Sequence, residues 1–301
     1  MLKNLRLAGA TAALALVVSA APMGAANATQ TAKKTPIPMV TFTISEDRTE
    51  IEGALTQVAG PLRLRILAED EDHLLSLFQL KPGYTVKNYR NDTRALGRLY
   101  RDGGKKNAAA VKRMQRSVVT FGGATASLGS VATATVNLKP GSYYLSDNVG
   151  PPAGHLYPLT ITSGVNPAHL PEGVPVITMT QKNAYKGATK LKATGTVLIR
   201  NAVPEGYRWL QAAFLQVQDG TTPQQVADLF KGTGDGGFVL SGYAGGDTLS
   251  PGHDQYLTYS VEPGTYALIC FFPDPDHPGS TYVADGMVRM VTMDDTNKAL
   301  D

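Results

Sequence analysis

The second half of the chain repeats the landmarks of the first, in the same order. Residues 74–85 (LLSLFQLKPGYT) correspond to 211–222 (QAAFLQVQDGTT), and residues 136–147 (VNLKPGSYYLSD) to 259–270 (YSVEPGTYALIC). Each half then closes on a Gly-led apolar run, Gly154–Ile161 and Gly286–Met293. An internal repeat of this length means one structural unit used twice, so whatever the first half folds into, the second must also accommodate. The copies differ by insertion: Gly83 to Gly141 spans 58 positions and Gly220 to Gly264 spans 44, so 14 extra residues fall in the first half.

The unit is β-rich. Apolar and polar residues alternate in Val40–Ile44, Leu62–Leu67, Ala132–Leu138, Val176–Thr180 and Gly195–Ile199, the period of half-buried strands. Ser163–Pro175, rich in Gly and Pro, is the natural break. The sequence therefore predicts a unit over 39–163, a linker over 164–174, a second unit over 175–295 and a polar tail over 296–301. With 43% hydrophobic and 18% charged residues the chain is far from a disordered composition.

Residues 1–28 carry Lys3 and Arg6, then a short apolar core around Leu14–Val18, then Ala26-Asn27-Ala28. A basic start, a short apolar stretch and a small-x-small end predict a secretory signal, cleaved after about Ala28, and hence a secreted protein. Thr29–Pro38 reads as a tether. Loss of Lys3 and Arg6 leaves 26 basic against 25 acidic residues, so overall charge names no partner. No later segment is long and apolar enough for a membrane-spanning helix.

The insertion of the first half is where charge concentrates. Val86–Arg116 holds ten Lys or Arg and two Asp. Ala95, Leu96 and Leu99, then Ala108, Val111 and Met114, predict two short amphipathic helices separated by Gly103-Gly104. The matching stretch, Thr222–Phe230, predicts one helix with Pro223 at its start. The basic segment 86–116 reads either as a solvated helical excursion or as a contact surface for an acidic extracellular partner. With Tyr89 and Tyr100 as its only aromatics, it lacks the stacking residues of a nucleic-acid surface.

Pro263–Cys270, followed after a loop by Asp285-Gly286-Met287-Val288, resembles the C-terminal signature of cupredoxins, the blue-copper β-sandwich family. Ala188–Leu191, Gly195–Asn201 and the apolar run Leu210–Val217 are similar to the family's opening part. The resemblance extends over both halves. It implies an all-β fold of two tandem cupredoxin-like Greek-key β-sandwiches, each with a short helical insertion, in a secreted bacterial protein. It also implies a copper ligand set that can be checked residue by residue. In the second half Cys270 and Met287 match the Cys and Met ligands, while Leu210 stands where the first His is expected and His277 is a distant candidate for the second. In the first half His73 matches the first His, Asp147 matches Cys270, and His155 matches Met287. Two imidazoles and a carboxylate suit zinc, iron or Cu(II) rather than blue copper.

Other chemistries have no motif. There is no His-x-His pair, no Gly-x-Ser-x-Gly, no His-Glu-x-x-His, and a single cysteine, which excludes an internal disulfide framework. The Gly-rich stretch 231–237 follows a helix rather than opening one, so it is read as a loop. Three function classes remain. The leading expectation is a non-enzymatic secreted binding or interaction protein on degenerate cupredoxin-like domains. The alternative is a copper- or zinc-binding protein using His73/Asp147/His155 or Cys270/His277/Met287. The third is a mononuclear metal enzyme.

Overall fold

The computed structural model describes residues 35–45, 47–147, 155–204, 206 and 208–295. The segment 1–28 predicted as a signal, most of the predicted tether, Gly154 and the tail 296–301 lie outside them. The first half contains β1 (Met39–Ile44), β2 (Thr49–Glu52), β3 (Thr56–Val58), β4 (Gly60–Ala68) and β5 (His73–Leu80). Helices α1 (Val86–Asp102) and α2 (Lys105–Ser117) follow, then β6 (Val118–Ala126), β7 (Val131–Leu138), β8 (Gly141–Asp147) and β9 (Leu156–Thr162). The second half contains β10 (Val176–Thr180), β11 (Ala184–Gly187), β12 (Lys190–Lys192), β13 (Thr194–Asn201) and β14 (Ala213–Val217). It ends with α3 (Pro223–Phe230), β15 (Val239–Gly246), β16 (Asp254–Ser260), β17 (Gly264–Ile269) and β18 (Val288–Asp294).

Alternation sorts the residues onto faces. In β4, Leu62, Leu64 and Ile66 are buried while Arg63 is exposed. The expected strand over Leu210–Val217 is shorter, starting at Ala213. Leu210 is held only by a single bridge to Leu249, and the residues just before it, 208 and 209, carry no strand structure.

The strands form two stacked mixed sheets, ordered β11-β10-β13-β16-β7-β4-β1-β2 and β12-β18-β17-β14-β15-β6-β5-β8-β9-β3. Both orders read as palindromes under the sequence repeat. The halves meet strand to equivalent strand, β7 on β16 and β6 on β15. The register makes the symmetry concrete. The offset of 123 that brings Gly141 onto Gly264 also relates Ala134 to Leu257, and these two are paired. Thr133 faces Thr258 and Thr135 faces Tyr256. A pseudo-twofold axis therefore runs through the seam, and each sheet is continuous across both halves, which form one compact unit over residues 34–301.

The seam is tight at one point. A bulge in the β5–β6 pairing puts Gly122 and Gly123 at positive φ. The Gly123 N–H donates to the buried Gln255 side chain at 2.8 Å, and a Cβ on Gly123 would lie 1.8 Å from the Leu75 carbonyl oxygen. Only glycine fits there.

The helices form where the sequence places them. Gly103 and Gly104 separate α1 from α2, and Thr222 caps α3 reciprocally with Gln225 behind Pro223. Leu99, Val111 and Met114 pack into the main core, each contributing about 1.5–3 kcal/mol of apolar burial. Asp92, buried on α1, accepts from Tyr84 Oη (2.7 Å) and is clamped by the Arg113 guanidinium of α2. This bond fastens the hairpin across its two helices. No helix among the described residues is long and apolar enough to cross a membrane.

Candidate functional site

His73 and Asp147 are brought together. Strand β5 pairs with β8, and His73 Nδ1 lies 3.0 Å from Asp147 Oδ2. The opposite ring nitrogen, Nε2, lies 3.1 Å from Asp70 Oδ1. The ring is fully buried and both nitrogens already face carboxylate oxygens, so an ion would have to displace one of them. His155 is exposed, its ring 4.7 Å from that of Tyr157. Among the described residues no group of three converging donors includes His73.

In the second half, Cys270 and Met287 are fully buried in the main apolar core with Leu210, Trp209 and Tyr282. The Cys270 Sγ accepts from the Gln211 N–H at 3.3 Å, and burial pushes its thiol up to about 12. His277 is instead an exposed residue whose Nδ1 sits between Asp285 (3.1 Å) and Asp274 (3.2 Å). Its pKa is raised, chiefly by the hydrogen bond to Asp285. Those three side chains form the one converging acid–imidazole group among the described residues. A blue-copper centre needs two imidazoles and a thiolate in a plane. The β5/β8 and β14/β17 registers put Leu210 at the position of His73, and Asp147 at that of Cys270. Neither half's donor set fits that centre.

A large cavity lies elsewhere, between α1 and the ten-stranded sheet. It has a volume of about 1220 Å³ and draws its walls from both halves. Leu74, Ser76 and Phe78 of β5 form part of its floor, and Tyr89, Leu96 and Tyr100 of α1 its roof. The second half contributes Trp209, Leu215, Tyr243, Phe271 and Phe272. The segment that follows Cys270 thus lines this chamber with two phenylalanines. Phe271 contacts Tyr243 and Phe230, and Phe272 lies against Trp209. The Trp209 Nε1 is buried without a hydrogen-bond partner.

Two bonds hold the roof to the second half. Tyr100 Oη donates to the Phe271 carbonyl at 3.0 Å, and Lys112 Nζ lies 2.6 Å from Asp276. Tyr100 is 48% exposed and lines the chamber. At the floor, Asp247 is 7% exposed. Burial, opposed by hydrogen bonds from Ser76 and Thr248, raises its carboxyl from 3.8 to about 6.

One flank of α1 carries Arg90, Arg94, Arg98 and Arg101, all exposed and all lining the chamber. Three and four residues apart, they are neighbours on the helix, and each like-charge pair disfavours it by about 0.2–0.5 kcal/mol. Among the described residues none of the four forms an ion pair. Arg94 donates to Asn91 and Arg98 to Asn107, both neutral. This spacing is readable in the sequence of the basic segment. Asp247 and the two phenylalanines are not, since only the folded seam brings them to one place. Tyr89 is stacked on Phe78 at 4.4 Å, so it is not offered to an outside surface.

No family profile matches the sequence, and neither does any curated protein. Solved structures do match. A dithionite-reduced auracyanin from Roseiflexus castenholzii is 20% identical over 39% of this chain and 94% of its own, with a TM-score of 0.24. A reduced amicyanin is 18% identical over 42% and 87%, TM-score 0.22. A copper nitrite reductase from Nitrosomonas europaea is 10% identical over 88% and 95%, TM-score 0.22. The fold is that of cupredoxin-like β-sandwiches, and it stands on the strand order and register given above. Nothing of those proteins' copper chemistry is carried to this chain by such scores.

Proposed function

We propose that this chain is a secreted, non-enzymatic binding protein whose ligand occupies the chamber between α1 and the ten-stranded sheet. The supporting observation is the cavity itself. Its volume of about 1220 Å³ exceeds the ~300–1,000 Å³ of ordinary small-molecule sites, and a few polar groups punctuate a mainly aromatic and aliphatic wall. Apolar walls in a cleft open to water favour an occupant that covers them. The test uses N-phenyl-1-naphthylamine, an uncharged apolar fluorophore, titrated into the wild-type chain and Gly97→Phe. Gly97 lines the chamber in mid-helix, and a Cβ there meets nothing nearer than 3.7 Å, so the added ring enters open space. Saturable binding that Gly97→Phe abolishes is expected; no saturation, or an unaffected variant, refutes the reading.

A second reading is a zinc or Cu(II) site at His73, Asp147 and His155, in which the ion would displace Asp147 or Asp70 from the His73 ring. Metal analysis of the chain purified without chelator, then titration with each ion, decides it. Stoichiometric binding lost in His73→Ala would establish it.

A further inference from the structure

We infer that the chamber's ligand is an amphiphilic anion, with its apolar body among the aromatic walls and its acidic group at the arginine flank of α1. This rests on the binding reading above and sharpens it. Apolar walls alone do not choose between neutral, cationic and anionic amphiphiles; the distribution of charge at the chamber does.

Four guanidinium groups, Arg90, Arg94, Arg98 and Arg101, border the cavity along one side of one helix. Their charge is uncompensated by any ion pair among the described residues, in contrast to Arg113 on the same hairpin, which is spent on the buried Asp92. Two acids also line the chamber. Asp72 is engaged with the Leu128 N–H at 3.2 Å, and Asp247 sits at the floor with Ser76 and Thr248. His155 adds an imidazole at the rim. The balance at the mouth is therefore positive, and the planar forks of arginine suit a carboxylate, sulfate or phosphate oxygen pair. Phe78, Tyr89, Trp209 and Phe272 line the chamber as buried residues while the four arginines are exposed, so an elongated ligand has its apolar part directed inward. Arginines beside an apolar cavity also account for the basic insertion without a macromolecular partner.

The experiment compares tetradecanoate, tetradecan-1-ol and tetradecyltrimethylammonium, each below its aggregation concentration. Each competes with N-phenyl-1-naphthylamine, and Trp209, the chain's single tryptophan, supplies an independent emission signal from the chamber wall. The wild-type chain is expected to bind the carboxylate at least tenfold more tightly than the alcohol, and the ammonium compound more weakly than either. In Arg90→Gln/Arg94→Gln/Arg98→Gln the carboxylate should fall to the alcohol's affinity while the alcohol is unchanged. The unchanged alcohol shows that the variant is folded. Equal binding of carboxylate and alcohol by the wild type, or a triple variant that keeps the preference, overturns the anion inference and leaves the chamber reading intact. Failure of all three amphiphiles and of the fluorophore overturns both.

Discussion

Asp247 is held in a place that costs it hydration, and the cost can be measured. Its carboxyl is 7% exposed, and burial raises it from 3.8 to about 6. A rise of about two units at 1.36 kcal/mol per unit is about 3 kcal/mol. The sign follows from which state holds the proton. Between the two values the folded chain keeps a proton that the unfolded chain has lost, so stability falls as pH rises through that window. Well below 3.8 the acid is neutral in both states and nothing is lost. Above about pH 6 the folded chain carries the full penalty of an ionised buried group. Asp247→Asn removes the charge and keeps an oxygen to accept from Ser76 and Thr248. The variant should exceed the wild type by only about 0.5 kcal/mol at pH 4 and by about 3 kcal/mol at pH 7.5, a urea midpoint about 1 M higher at a slope of ~3 kcal/mol per molar. Urea unfolding followed by Trp209 emission at pH 4, 5, 6 and 7.5 reads this. Taking the difference between the two chains cancels the other titrating groups that do not touch Asp247. Equal midpoints at every pH, or a variant less stable at pH 7.5, would refute the assignment of Asp247 as a desolvated acid.

Cys270 should resist iodoacetamide in the folded chain and react on unfolding, because it is fully buried and its thiol is pushed up to about 12; modification at native pH without denaturant contradicts that placement. Gly123→Ala sets a methyl 1.8 Å from the Leu75 carbonyl oxygen at a position of positive φ, so a loss of about 3 kcal/mol or more is expected in thermal unfolding, and a tolerated substitution means the bulge is not as described. His277 should titrate above 6.5 by proton NMR and move back towards 6.5 in Asp285→Asn. Its bonds to Asp285 and Asp274 contribute below the unfolded value and are lost as pH rises through the folded one, so a midpoint at or below 6.5 would count against the 274–285 cluster.

The strand positions were the most legible part of the sequence because they rest on turn chemistry. Pro140-Gly141 and Pro263-Gly264 open equivalent strands, and the alignment they set matches His73 to Leu210 and Asp147 to Cys270, as the observed registers do. The helical insertions were legible through Leu99, Val111, Met114 and Pro223, whose periods and caps are local. The seam was not. Ala124, Ala134, Gly246 and Leu257 have no feature that distinguishes a strand edge from a strand centre, since pairing with an equivalent strand uses the same backbone bonds as any other pairing. The candidate ligands suffered the same limit. His73 was visible as an imidazole, but its engagement at Nε2 depends on Asp70, and nothing local says which nitrogen a carboxylate will take.

The chamber follows from symmetry broken at one place. The ten-stranded sheet runs through both halves, so it presents a face to be covered on either side of the seam. In the second half α3 covers that face closely, with Val226 packed among Ala213, Val217, Ala267 and Ile269. In the first half the 14 extra residues build a hairpin instead of one short helix. It seats Leu99, Val111 and Met114 on its own half, then reaches over the seam to the Phe271 carbonyl and Asp276 of the other. A roof anchored on both halves spans the hollow along the axis rather than filling it. That hollow is lined by Tyr100 from the first half and by Trp209, Phe271, Phe272 and Asp247 from the second. Shortening the hairpin to the length of the α3 connection should therefore remove the chamber while leaving both sandwiches and the seam. It should abolish uptake of N-phenyl-1-naphthylamine without loss of the cooperative unfolding transition.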